Sequence, residues 1–140
     1  MGNLIKFQVE SGLAEISMVA VSVKALCVHF KLSELMGYQI ALCVDEMMNN
    51  ITEHNFQFEK GKQIEVCLGF NEENLEIELS YLGPPMPEQD PPILDYDPTD
   101  TPNLPERGFG LYLIHQIMDE LKCNHENGLT TIYMRREIPC

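Results

Sequence analysis

With 140 residues and 44% hydrophobic content, the chain suits one compact domain, residues 1–140, around an ordinary core. A formal net charge of −13 argues against direct binding to nucleic acid, whose phosphates would repel it, and leaves room for a basic protein partner. No apolar run is long enough for a membrane span and no signal-like segment opens the chain, so a cytoplasmic protein is expected.

Residues 3–9 read as an opening strand with apolar residues at Leu4, Phe7 and Val9. From Leu13 to Phe30 the apolar positions Leu13, Ile16, Ala20, Val23, Cys27 and Phe30 recur every three or four residues, which predicts a helix. Ser33 is placed to cap a second helix that runs to His54, with an inward stripe at Met36, Ile40, Val44, Met47 and Ile51. Two strands are predicted at Gln63–Phe70 and Leu75–Leu82 around a polar turn at Asn71–Asn74. In the second of them Leu75, Ile77, Leu79 and Tyr81 alternate with polar residues, as a half-buried strand does.

Residues 83–107 then hold eight of the nine prolines, which predicts a long irregular loop of the lid or binding-loop kind. A third helix is expected over Gly110–Leu121. A closing hairpin is expected from Lys122–Glu126 and Leu129–Arg136 around Asn127–Gly128. The order of elements predicts an α/β two-layer sandwich, a mixed, mainly antiparallel sheet covered on one face by helices. Cys27, Cys43 and Cys67 lie among apolar neighbours and no CxxC pair occurs, so buried reduced thiols are expected. No His or Cys cluster has metal-ligand spacing, which argues against a metal hydrolase.

Three segments could carry chemistry. In the second helix, Glu46, Asn50 and His54 lie four apart in one file along the border of the apolar stripe, with Asp45 and Asn49 further out. Two readings stand: an ordinary polar helix edge, or oxygen donors facing a cleft, of the hard type that Mg²⁺ prefers. His54 reads as a structural end to the helix. The run Arg107–Gly108–Phe109–Gly110–Leu111 opens the third helix. Its glycines permit close approach, its free N–H groups suit phosphate, and Arg107 can add a charge-assisted contact, although a plain glycine-rich helix entry is the alternative. At Leu82–Gly83–Pro84–Pro85–Met86 a strand leaves the sheet through a tight turn, either a ligand edge or a turn and no more.

Taken in this order, the Glu–x3–Asn–x3–His helix, the Gly–Pro turn, the proline-rich lid and the Gly–x–Gly–Leu helix start resemble the N, G1 and G2 boxes of the histidine-kinase-like ATPases. Length and the segment GFGLYLIHQIMDEL resemble most the bacterial anti-sigma-factor serine/threonine kinases of that superfamily. The resemblance implies a Bergerat-type ATP-binding fold using ATP and Mg²⁺. Asn50 would hold Mg²⁺, and Glu46 would be the catalytic base. Gly108 and Gly110, with Arg107, Phe109 and Leu111 around them, would cradle the phosphates, and Gly83 would let the backbone approach adenine. It further implies a role in transcription regulation, with a sigma factor and a STAS-type anti-anti-sigma protein as partners, the latter the phosphorylation substrate. A homodimer near the first helix and opening strand is also implied; Val21 and Val28, off the main stripe of that helix, suit such a contact or, equally, a wide core face.

One position departs from the family pattern, which has Asp–x–Gly at the strand-end turn. Tyr81 stands where the adenine-reading Asp is expected, and Pro85 replaces a common glycine. A phenol offers one hydrogen bond and no charge at neutral pH. Tyr81→Asp is therefore expected to improve ATP binding. The alternative function is a degenerate, non-catalytic partner-switching module with weak or no nucleotide binding.

Overall fold

The computed structural model describes residues 2–54, 61–85 and 109–139. The elements are β1 (Asn3–Glu10), α1 (Leu13–His29), α2 (Glu34–His54), β2 (Gln63–Phe70), β3 (Asn74–Leu82), α3 (Phe109–Ile117), β4 (Glu120–Glu126) and β5 (Leu129–Glu137). The strands form one sheet in the order β1-β2-β3-β5-β4. The expected mainly antiparallel sheet is antiparallel at every described pairing.

Alternation decides which face each strand buries. Ile64, Val66, Leu68 and Phe70 of β2, Leu75, Ile77, Leu79 and Tyr81 of β3, and Ile132 and Met134 of β5 all point to the helices and are buried. In β1 the inward residues are Ile5, Phe7 and Val9, packed at the core's edge, while Leu4 is 67% exposed. Leu4 faces outward because it lies one residue out of phase with its inward neighbours.

The predicted stripe of α2 is buried at all five positions. Ser33 caps the helix as its sequence suggests: its hydroxyl accepts the Met36 N–H at 3.1 Å. The end of α1 is a Schellman turn in which the Leu32 N–H reaches the Cys27 carbonyl and the Lys31 N–H that of Val28, with Lys31 at φ 67. The buried face of α1 is Ile16, Val19, Val23 and Cys27, whereas Leu13 is 74% exposed.

The third helix is shorter than its apolar spacing implies. It stops at Ile117, and β4 begins at Glu120, because the Asp119 N–H pairs with the Arg135 carbonyl and Leu121 takes up strand register opposite Met134. The proline-rich stretch lies outside the described residues from Met86 onward, so the expected lid does too. Cys27 and Cys43 are buried free thiols, and burial pushes them up to about 11 and about 12 respectively. Cys67 corrects the sequence reading. Its odd position in β2 puts it half-buried on the outer face, opposite Lys6 and Glu78, not in the core. Among the described residues no helix is long and apolar enough to cross a membrane.

Candidate functional site

The second helix supplies the charged part of the site. Its apolar stripe is fixed against the sheet, so the adjoining file turns Glu46 and Asn50 to the edge of the core, one turn apart and both half-buried. Asp45 and Asn49 occupy the next file. The Asn49 amide donates to the Asp45 carbonyl at 2.8 Å and to its carboxylate at 3.3 Å, a contact within the helix. Burial raises the Asp45 carboxyl above its ordinary value. Burial raises Glu46 too, and the neighbouring Asp45 charge raises it further. A carboxylate made more basic in this way is a better proton acceptor near neutral pH.

The strand-end turn is strapped down by its surroundings. Gly83 has φ 151, a conformation that side chains with a Cβ rarely adopt. Its N–H donates to the Gly128 carbonyl at 2.9 Å, and its carbonyl accepts the Thr130 hydroxyl at 2.7 Å. Tyr81 is 1% exposed and donates its hydroxyl to the Pro84 carbonyl at 3.0 Å. The tyrosine in the place of the expected carboxylate thus packs inward, as alternation requires, and helps hold the turn.

The backbone of Phe109, Gly110 and Leu111 forms the first turn of α3, which packs beside α2. Arg107 and Gly108 lie outside the described residues, as do the lid's prolines from Pro87 on. Tyr81 belongs to the same core as Met47, Met48 and Ile51 of α2, so strand end and acidic helix share one packed interior. A hollow of about 480 Å³ lined by Gln8, Lys62, Gln63, Ser80, Tyr81 and Leu82 opens beside this strand end.

Sequence reasoning passed over Thr130 and His125. Thr130 is fully buried among apolar inward residues of β5, and His125 Nδ1 lies 2.9 Å from its hydroxyl. Both were accessible to it: the Asn127–Gly128 turn, with φ 53 and 79, sets the register that pairs His125 with Thr130.

No group of three or more His, Cys, Asp or Glu side chains among the described residues is placed to hold a metal by itself. The Asn50 carbonyl oxygen is the group that would join substrate phosphates around Mg²⁺, a mode that needs only one or two protein oxygens.

An antiparallel sheet with helices on one face, an acidic helix border and a strapped strand end make up an α/β two-layer sandwich. The family model for the histidine kinase-like ATPase domain matches residues 9–136, and the chain belongs to that family. It is similar to the serine-protein kinase RsbW of Bacillus cereus strain AH187, with 30% identity over 102 residues, 69% of this chain and 63% of that protein. The RsbW of Bacillus mycoides strain KBAB4 matches with 30% identity over 104 residues and the same coverage. The chain therefore spans less than two thirds of these relatives' length.

Two crystal structures share the fold. The RsbU and RsbW domains of Rv1364c from Mycobacterium tuberculosis superpose with a TM-score of 0.68 at 12% identity, covering 97% of this chain and 32% of that one. The SiaB–SiaC complex from Pseudomonas aeruginosa gives 0.65 at 14% identity, covering 96% and 88%.

Proposed function

We propose that this chain is an ATP-dependent serine/threonine protein kinase that phosphorylates a small STAS-type anti-anti-sigma protein and holds a sigma factor inactive when that protein is absent. The observation that carries the reading is the pair on α2: a half-buried carboxylate of raised basicity, Glu46, one turn before a half-buried carboxamide, Asn50. The serine-protein kinases among its relatives support the reaction, and the likeness to a chain from the SiaB–SiaC complex supports a protein partner.

In this reading Asn50 presents its carbonyl oxygen to Mg²⁺, which when bound neutralises charge on the phosphates. Gly110, with Gly108 and Arg107, borders the phosphates at the start of α3, and Gly83 lies at the base. Glu46 accepts the proton of the attacking hydroxyl as its oxygen bonds to the γ-phosphorus and ADP leaves. A second reading, a partner-switching module that binds nucleotide weakly, rests on Tyr81 in place of a carboxylate. Incubation with γ-labelled ATP and the STAS-type protein separates them: label on a serine or threonine supports the kinase, and none supports the module.

We also propose that the chain pairs with a second copy through α1. Ala14, Met18, Val21, Ala25 and Val28 are all exposed and spaced alternately four and three residues apart, a coiled-coil seam on the face away from the core. Antiparallel pairing about Val21 sets Met18 against Ala25 and Ala14 against Val28, large against small. Of the 22 acidic residues only Glu15 lies on α1, so two copies of an acidic protein repel least there. Val21→Glu places two like charges at the centre of the seam and is expected to convert the dimer to monomer. Sedimentation velocity reads this, and an unchanged sedimentation coefficient would reject the seam as the interface.

A further inference from the structure

The strand-end turn is held by more than its own backbone. The Thr130 hydroxyl lies 2.7 Å from the Gly83 carbonyl, which can only accept, so its single proton points there. The same oxygen lies 2.9 Å from His125 Nδ1. With the threonine proton already committed, that contact requires the histidine to donate. His125 therefore carries a proton on Nδ1, and the polar chain runs in one direction, from His125 Nδ1–H to Thr130 Oγ1 and from Thr130 O–H to the Gly83 carbonyl.

Thr130 is fully buried, so no bulk water competes for its hydroxyl, while His125 stands at the exposed edge strand β4. Donation into Thr130 Oγ1 fixes the hydroxyl rotor and polarises it, which strengthens the bond onward to Gly83. The Gly83 N–H is tied to the β4–β5 turn at Gly128, so both backbone groups of this glycine depend on the hairpin that carries His125.

We propose that His125 is a positioning residue for the Gly83–Pro84 turn, acting through Thr130, and that it sets affinity for the base of a bound nucleotide without touching it. The base-side consequence rests on the nucleotide reading of the preceding section; the relay itself does not. Nothing in the chemistry assigned to Glu46 or Asn50 uses His125, and its exposed position lets it be changed without opening the core.

Nitrogen-15 NMR of the full chain tests the relay directly. Where the ring is neutral, Nδ1 is expected to carry the proton and Nε2 to be bare; the reverse tautomer would overturn the proposal. His125→Leu is expected to speed exchange of the Gly83 amide about threefold to tenfold, the range for one lost hydrogen bond. His125→Asn, which can still donate, should restore part of the protection. An unchanged Gly83 exchange rate in His125→Leu would overturn it equally.

Calorimetry then reads the base. His125→Leu should weaken MgATP by about threefold to tenfold while leaving inorganic tripolyphosphate unchanged; equal weakening of both would remove the role at the base. Failure of the native chain to bind ATP would defeat the nucleotide reading and that role together, while the tautomer and the Gly83 amide would still decide the relay.

Discussion

Glu46→Gln is expected to abolish phosphate transfer, a loss of about 10²–10⁴-fold, while MgATP affinity stays within about threefold. The amide keeps the size and shape of the side chain but cannot take the proton of the attacking hydroxyl. The same substitution should stabilise the fold at neutral pH, because it removes a charge that burial and the adjacent Asp45 disfavour. The sign follows from linkage. The folded state raises the Glu46 pKa above its ordinary 4.5, so it binds the proton more tightly than the unfolded chain does. That contribution is fully present below 4.5 and is lost as pH rises through the raised value. The advantage of glutamine therefore appears above this window and fades at acid pH, where native Glu46 is already protonated. Paired transfer assays and melting curves between acid and neutral pH check it. A variant that melts lower at neutral pH would mark Glu46 as structural, and one that still transfers phosphate would remove it as the base.

Tyr81→Asp is expected to do the opposite of what its sequence position suggests. By family pattern alone a carboxylate here should improve adenine binding. In the fold Tyr81 is among the largest fully buried side chains, and its hydroxyl holds the Pro84 carbonyl. Aspartate would leave most of the ring's volume empty, release that carbonyl and place a charge in the apolar core. Loss of a buried ring costs about 3–5 kcal/mol, before any penalty for the charge. Thermal unfolding should show a melting point lower by about 10 °C or more for a chain of this length. Tyr81→Phe, which keeps the packing, should cost only about 0.5–1.5 kcal/mol. Near-native melting of Tyr81→Asp together with tighter ATP binding would contradict this and restore the carboxylate reading.

How far the sequence could be read depends on how local each signal is. The second helix was fully legible, because a capping serine, a five-position stripe and a polar border all lie within one segment and agree. The strands β2 and β3 were legible from alternation, and so was the inward aim of Tyr81. Its bond to Pro84 was not, because that depends on where the chain turns after leaving the sheet. The end of α3 is not legible from the sequence, because Ile117, Met118 and Leu121 keep helical spacing. Pairing of Glu120 and Leu121 with Arg135 and Met134, a contact distant in sequence, wins over that local pattern. Apolar surroundings mislead at Cys67 for a related reason: adjacent residues in a strand do not share its face. In the site, Glu46 and Asn50 follow from spacing, whereas the burial that raises Glu46 and the His125–Thr130 pair beneath Gly83 emerge from the fold.

Calorimetric titration of the native chain and of Asn50→Ala, each with and without Mg²⁺, tests most directly whether α2 and the turn at Gly83 form a site for MgATP. The native chain should bind MgATP weakly, with a small preference over GTP because Tyr81 offers no carboxylate to the base. Affinity should fall by about tenfold or more when either Mg²⁺ or the Asn50 oxygen is removed, the effect of one charge-assisted contact. ATP bound equally well in all four titrations, or by none of them, would contradict such a site.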